Sequence, residues 1–133
     1  MQRTTTLTIV VRSTEIDVNG HVNNAKYVEY IEWAREDWYE RNGLEYERLK
    51  ALDAVTVTVN LNINYRRECR QGEELTIVTE PERLGKSSFV VRQRIERRGG
   101  EVVLDALVTL VTIDPETRRS RTVPHELACL FAE

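Results

Sequence analysis

Eleven consecutive residues, Val55 to Tyr65, constrain the fold of this chain more than any other segment. Every odd position is apolar (Val55, Val57, Val59, Leu61, Ile63, Tyr65) and every even one is Thr or Asn. Strand side chains alternate between faces with period two, so the pattern specifies a long β-strand with one buried face. The period persists downstream. Glu73–Arg83 reads as a strand, Gly85-Lys86 as a tight turn into Ser88–Arg98, and Gly99-Gly100 as a turn into Val102–Ile113. That last strand is apolar on both faces except at Asp105, which predicts a central place in the sheet. Asp114-Pro115 ends it. Short turns between successive strands imply antiparallel pairing.

Upstream the pattern differs. Thr4–Arg12 alternates around Leu7 and Ile9 and predicts a first strand. A polar connection, Ser13–Asn24, follows, with Asp17, Asn19 and Gly20 as turn formers. From roughly Asn24 to Asn42, Tyr27, Ile31, Ala34 and Trp38 recur at helical spacing, and Tyr30 and Trp33 widen the apolar face. Glu29, Glu32, Glu36 and Glu40 line the solvent face of that helix. Asn23 or Asn24 suits its N-cap, and Gly43 the left-handed residue past its end. Glu45–Leu52 and Pro124–Phe131 predict short further helical turns. One strand, one long helix and four hairpin-linked strands give an α+β fold, an antiparallel five-stranded sheet wrapped around the helix.

A chain of 133 residues is expected to form one domain, residues 1–133, large enough to build a core without metal or disulfide staples. With 41% hydrophobic and 31% charged residues it is too apolar for a disordered chain, and it holds no run of ~20 apolar residues for membrane insertion. The first ten residues lack the basic start and apolar run of a secretory signal, and Cys69 and Cys129 fit no metal or redox spacing. A cytoplasmic location is therefore expected. A net charge of −3, with no basic stripe interleaved with aromatics, argues against nucleic acid as a partner.

Most catalytic signatures are missing. There is no G-x-S-x-G elbow. Gly85-Lys86-Ser87 imitates the end of a P-loop, but Glu80 stands where its first glycine is required. Cys69, among Arg66, Arg67 and Arg70, reads as a strand-end thiol. What remains is the segment Asp17-Val18-Asn19-Gly20-His21-Val22-Asn23-Asn24-Ala25-Lys26-Tyr27. It gathers a carboxylate, an imidazole and three amides just ahead of a helix. A helix start exposes unpaired N–H groups and the positive end of a dipole, which can hold a developing oxyanion. A carboxylate facing it could act as nucleophile or activate water. The same residues also serve as ordinary turn and cap chemistry.

This segment resembles the hotdog-fold thioesterases of the 4-hydroxybenzoyl-CoA and acyl-CoA thioesterase type. Asp17 and Gly20 match the family's D-x-x-G, and Tyr27 matches the aromatic in the first helical turn. The string D-V-N-G-H-V-N-N-A-K-Y is also similar to a stretch of plant acyl-carrier-protein thioesterases. The likeness continues through Glu29–Arg35, Asn64-Tyr65-Arg66-Arg67, Leu84–Phe89, Ala106–Asp114 and Arg121–Leu127.

The resemblance implies a hotdog fold and hydrolysis of acyl-CoA or acyl-carrier-protein thioesters without metal or redox cofactor. It implies a homodimer joined sheet edge to sheet edge, often paired into a homotetramer, with the acyl thioester at the subunit interface. Asp17 takes the place of the catalytic carboxylate, and the backbone N–H of Asn24 that of an oxyanion donor. Asn19 and His21 match polar positions that position water or substrate. Lys86, Ser87 and Ser88 match a turn near the CoA phosphates, and Arg66 and Arg67 suit additional phosphate contacts. Two other functions fit the same resemblance: a non-catalytic acyl-thioester-binding protein, and an enoyl-thioester hydratase using Asp17 and His21.

Overall fold

The computed structural model describes residues 1–132. Its elements are β1 (Thr5–Val10), α1 (Asn24–Arg41), α2 (Tyr46–Ala51), β2 (Val55–Tyr65), β3 (Glu74–Leu84), β4 (Ser88–Arg97), β5 (Val102–Ile113) and α3 (His125–Ala128). Short 3-10 turns occupy Ser13–Glu15 and Cys129–Phe131. The five strands form one sheet in the order β1-β3-β4-β5-β2, and every neighbouring pair is antiparallel. This is the expected hotdog arrangement, with α1 laid across the inner face.

Helix α1 stops where the sequence says it should. Gly43 adopts a left-handed φ of 68°, and its N–H returns to the Glu40 carbonyl. Tyr27, Tyr30, Ile31, Ala34 and Trp38 are buried against the sheet. Leu75, Ile77, Val91, Ile95, Leu104 and Val108 meet them from β3, β4 and β5. The predicted central strand, β5, has a neighbour on each side, but β4 occupies the middle.

The long alternating strand departs from its expected single buried face. Thr56 pairs with Thr112 and Thr58 with Leu110, but after a bulge at Val59 the partners become Asn60 with Thr109 and Leu61 with Val108. The helix-facing residues of β5 are the buried even positions Leu104, Ala106, Val108, Leu110 and Thr112. The bulge therefore shifts the inner face of β2 from Thr56 and Thr58 to Leu61, Ile63 and Tyr65. Tyr39 on α1 confirms the first half, its hydroxyl 2.8 Å from Thr56 Oγ1. Burial of Tyr39 pushes its hydroxyl pKa up to about 12. Because β2 is a sheet edge, Val57, Val59, Leu61 and Tyr65 stay substantially exposed in the single chain.

Under the middle of α1 lies a buried polar knot. Gln93 of β4 is fully buried and donates through Nε2 to the Ile31 carbonyl (2.8 Å) and Thr79 Oγ1 (2.9 Å). Its Oε1 accepts from Arg35 (3.0 Å), whose guanidinium pKa is lowered by burial. Replacing one member leaves the others buried and unpaired, which costs more than the bonds contribute. Gln93→Leu is expected to destabilise the fold by about 2–4 kcal/mol. Urea unfolding checks this, and a change below about 0.5 kcal/mol would show the knot to be dispensable.

Candidate active site

The segment between β1 and α1 is built by local bonding. Ile16 and Val22 form an isolated antiparallel bridge, and Asp17 N–H donates to the His21 carbonyl (3.1 Å). Gly20, at φ 82°, closes the turn through its N–H to the Asp17 carbonyl (3.0 Å). A residue with a Cβ is strained at that φ, so glycine is required there. The Asp17 carboxylate accepts the Asn19 N–H at 2.9 Å. Cross-strand neighbours share a face, so Asp17 and His21 project from the same side of this small hairpin. Val22 turns the other way and is fully buried, its N–H held by the Cys69 carbonyl (2.9 Å).

The hairpin delivers the chain directly to the helix. Asn23 is the N-cap, with φ −63° and ψ 140°, and its Oδ1 accepts the Ala25 N–H (2.9 Å). Its carbonyl accepts the Lys26 N–H (2.9 Å). The first N–H of the helix, that of Asn24, has no acceptor among the described residues. It lies at the positive end of an 18-residue helix.

That end opens into a cleft of about 210 Å³ lined by His21, Val22, Asn24, Tyr27, Tyr65, Arg66, Arg67 and Glu68. Tyr65 donates its hydroxyl to the Asn24 carbonyl (3.2 Å) and rests its ring against Tyr27. The Tyr27 hydroxyl accepts the Cys69 N–H (3.0 Å), and burial, with Cys69 beside it, raises its pKa well above the usual tyrosine value. His21 Nε2 lies 3.5 Å from Glu68. Arg66 pairs with Asp105, whose carboxyl it holds below the ordinary range, and Arg67 with Glu101 at 3.3 Å.

Of the residues singled out in the sequence, the fold brings His21, Asn24, Tyr27, Arg66 and Arg67 into one cleft. Asp17, Asn19 and Gly20 form the hairpin turn beside it. Lys86, Ser87 and Ser88 are elsewhere. Ser88 pairs with Val111 of β5, whereas Tyr65 pairs with Leu104, so the turn stands seven residues along β5, or about 24 Å, from the cleft. There the Lys86 and Ser87 carbonyls receive the Val123 and Thr112 N–H groups. No sequence pattern marks Glu68, which belongs to no periodic segment and enters the cleft beside His21. The string Asn64-Tyr65-Arg66-Arg67 was the signal that could have found Tyr65. Among the described residues no three His, Cys, Asp or Glu side chains are placed to hold a metal ion.

Residues 11–131 match the model of the thioesterase-like superfamily. The chain belongs to that family. Long-chain acyl-CoA thioesterase FadM of Escherichia coli K12 is 40% identical to it over 120 residues, 90% of each chain. The acyl-CoA thioester hydrolase YbgC of Escherichia coli O6:H1 is 26% identical over 119 residues. Among solved structures, the probable thioesterase YbaW from Escherichia coli superposes with a TM-score of 0.82 at 38% identity, covering 94% of both chains. The SAV2348 protein of Staphylococcus aureus, solved in complex with CoA, shares the fold at a TM-score of 0.88 and 21% identity, over 96% of this chain and 80% of that one. For a thioesterase-like chain the cap at Asn23 is the feature that fixes where the helix begins. Asn23→Ala is expected to cost about 1 kcal/mol. Thermal or urea unfolding reads this directly, and an unchanged midpoint would show that the side chain does not cap the helix.

Proposed function

We propose that the protein hydrolyses acyl-CoA thioesters to free acid and CoA, with Asp17 as the catalytic carboxylate and the Asn24 N–H as oxyanion donor. The observation that carries this is the free Asn24 N–H, open to a cleft, at the head of a long helix. The 40% identity to FadM supports acyl-CoA as the substrate class. When water or Asp17 attacks the thioester carbon, the carbonyl oxygen gains charge. A preoriented N–H and helix dipole stabilise that charge more than the neutral carbonyl. In the water route Asp17 takes the proton, the tetrahedral adduct collapses, the C–S bond breaks, and the CoA thiolate leaves with the proton returned to it. In the direct route the Asp17 carboxylate displaces the CoA thiolate, breaking the C–S bond and forming a mixed anhydride; water then cleaves the anhydride, releasing the acid, restoring the carboxylate and supplying the proton that the thiolate takes up. His21 and Asn19 flank Asp17 and orient water or substrate, and Tyr27 and Gly20 shape the cleft.

The active form on this reading is a homodimer joined along β2, and a tetramer is built by pairing such dimers. An 11-residue edge strand with exposed Val57, Val59, Leu61 and Tyr65 carries no charged residue or proline to blunt its edge. Antiparallel pairing of two β2 strands sets the Val55 end of one copy beside the Tyr65 end of the other. It thus carries a second copy's Lys86-Ser87-Ser88 turn toward this cleft, where Arg66 and Arg67 await the CoA phosphates. The free thiols Cys69 and Cys129 suit the reducing cytoplasm.

Asp17→Ala is expected to lower kcat at least about 100-fold with the fold intact. Asn24→Ala, which keeps the N–H, should retain most activity. The assay follows thiol release from acyl-CoAs and from acyl carrier protein in parallel. Full turnover by Asp17→Ala would remove that carboxylate from the mechanism. Acyl-CoA binding without thiol release by the unmodified protein would favour a binding role, and loss of enoyl absorbance without thiol release a hydratase. For the assembly, Val59→Lys is expected to shift the dimer toward single chains and reduce turnover with it. Sedimentation showing the unmodified protein as a fully active monomer would contradict the interface.

A further inference from the structure

Glu15 is a buried carboxylate that the mechanism above does not use. It is only 9% exposed. One oxygen, Oε1, accepts the Arg12 backbone N–H (3.0 Å) and the Tyr30 hydroxyl (2.9 Å). The other, Oε2, accepts the Thr14 hydroxyl (3.0 Å). Its own backbone carbonyl accepts the N–H of Asn23, the N-cap of α1 (3.0 Å). Burial alone raises the carboxyl pKa, but the Arg12 N–H and the Tyr30 and Thr14 hydroxyls more than offset it and hold the group ionised below its ordinary range.

These bonds close a ring around the turn that carries Asp17. Glu15 grips Tyr30, fully buried in the second turn of α1. Tyr30 meets Tyr27 edge-on at 6.0 Å. Tyr27 receives the Cys69 N–H, and the Cys69 carbonyl receives the Val22 N–H at the far side of the hairpin. Cut at the Glu15 side chain, the ring leaves the near strand held by the Asn23 bond and the packing of Ile16, without its hydrogen bond to the second turn of α1.

We propose that Glu15 is a positioning residue, setting the placement of the Asp17 hairpin against the start of α1 by clamping it to Tyr30. The proposal rests on the Asp17 and Asn24 reading and adds to it the device that holds the two in register. A misplacement of about 1 Å costs about 100-fold in rate.

The test is steady-state kinetics on Glu15→Ala, Glu15→Gln, Tyr30→Phe and the double variant Glu15→Ala/Tyr30→Phe, with Asp17→Ala alongside. Glu15→Ala is expected to lower kcat about 10- to 100-fold with KM within about twofold. Glu15→Gln keeps an acceptor for Arg12 and Tyr30 and should restore most of kcat. Tyr30→Phe preserves the packed ring and should lose about 3- to 10-fold. The double variant should be no worse than Glu15→Ala alone, because both cut one contact. A purely structural Glu15 would lower the melting temperature and leave kcat per folded molecule unchanged, and that result overturns the proposal. So would multiplicative losses in the double variant. If Glu15→Ala does not fold, Tyr30→Phe decides alone: full kcat overturns the clamp. Turnover by Asp17→Ala overturns the underlying catalytic reading instead, whatever the Glu15 variants do.

Discussion

On the proposed catalytic reading, the rest of the site depends on one backbone N–H at the head of α1. The Asn23 side chain satisfies Ala25 and its carbonyl satisfies Lys26, leaving the Asn24 N–H without an acceptor among the described residues. Every helix start leaves such groups without a partner inside the helix, and Asn24 is exposed. Here the surrounding contacts fix where that donor stands. The Ile16–Val22 bridge fixes the approach of the chain, Tyr65 holds the Asn24 carbonyl, and Tyr27 anchors the first turn to Cys69. The hotdog sheet supplies the wall these contacts lean on.

The bulge at Val59 connects fold to assembly. Without it, the alternation in β2 would present the same side chains to one face along its whole length. With it, Thr56 and Thr58 face α1 near the helix C-terminus, and Leu61, Ile63 and Tyr65 face it near the cleft. Polar groups thus meet Tyr39, and apolar ones line the approach to Asn24. Being at an edge, the strand leaves this surface half-open in a single chain. A cleft completed by a second copy follows from that geometry on the dimeric reading.

Much of this was legible in the sequence. The helix over Asn24–Arg41 is within a residue of its periodicity, because a wide apolar face, a capping Asn and a closing Gly all agree. The four later strands follow from period two and from glycine turns. The single buried face expected for Val55–Tyr65 failed, because a bulge and an edge position are properties of strand pairing, which no local pattern records. Burial of Glu15 and the entry of Glu68 into the cleft depend on contacts with Tyr30 and His21, distant in sequence. Likewise, the distance of Lys86, Ser87 and Ser88 from Asn24 within one chain is visible only in the sheet register.

The most direct measurement is the kcat of Asn24→Pro on an acyl-CoA that the unmodified protein hydrolyses. Proline is favoured at the first position of a helix and lacks the N–H, and Asn23 already has the extended backbone that a following proline demands. The substitution therefore deletes the donor and spares the helix. The account predicts a folded protein with CoA affinity retained and kcat lowered about 100- to 1000-fold. A folded variant that turns over at the unmodified rate would show that the thioester oxygen is stabilised elsewhere.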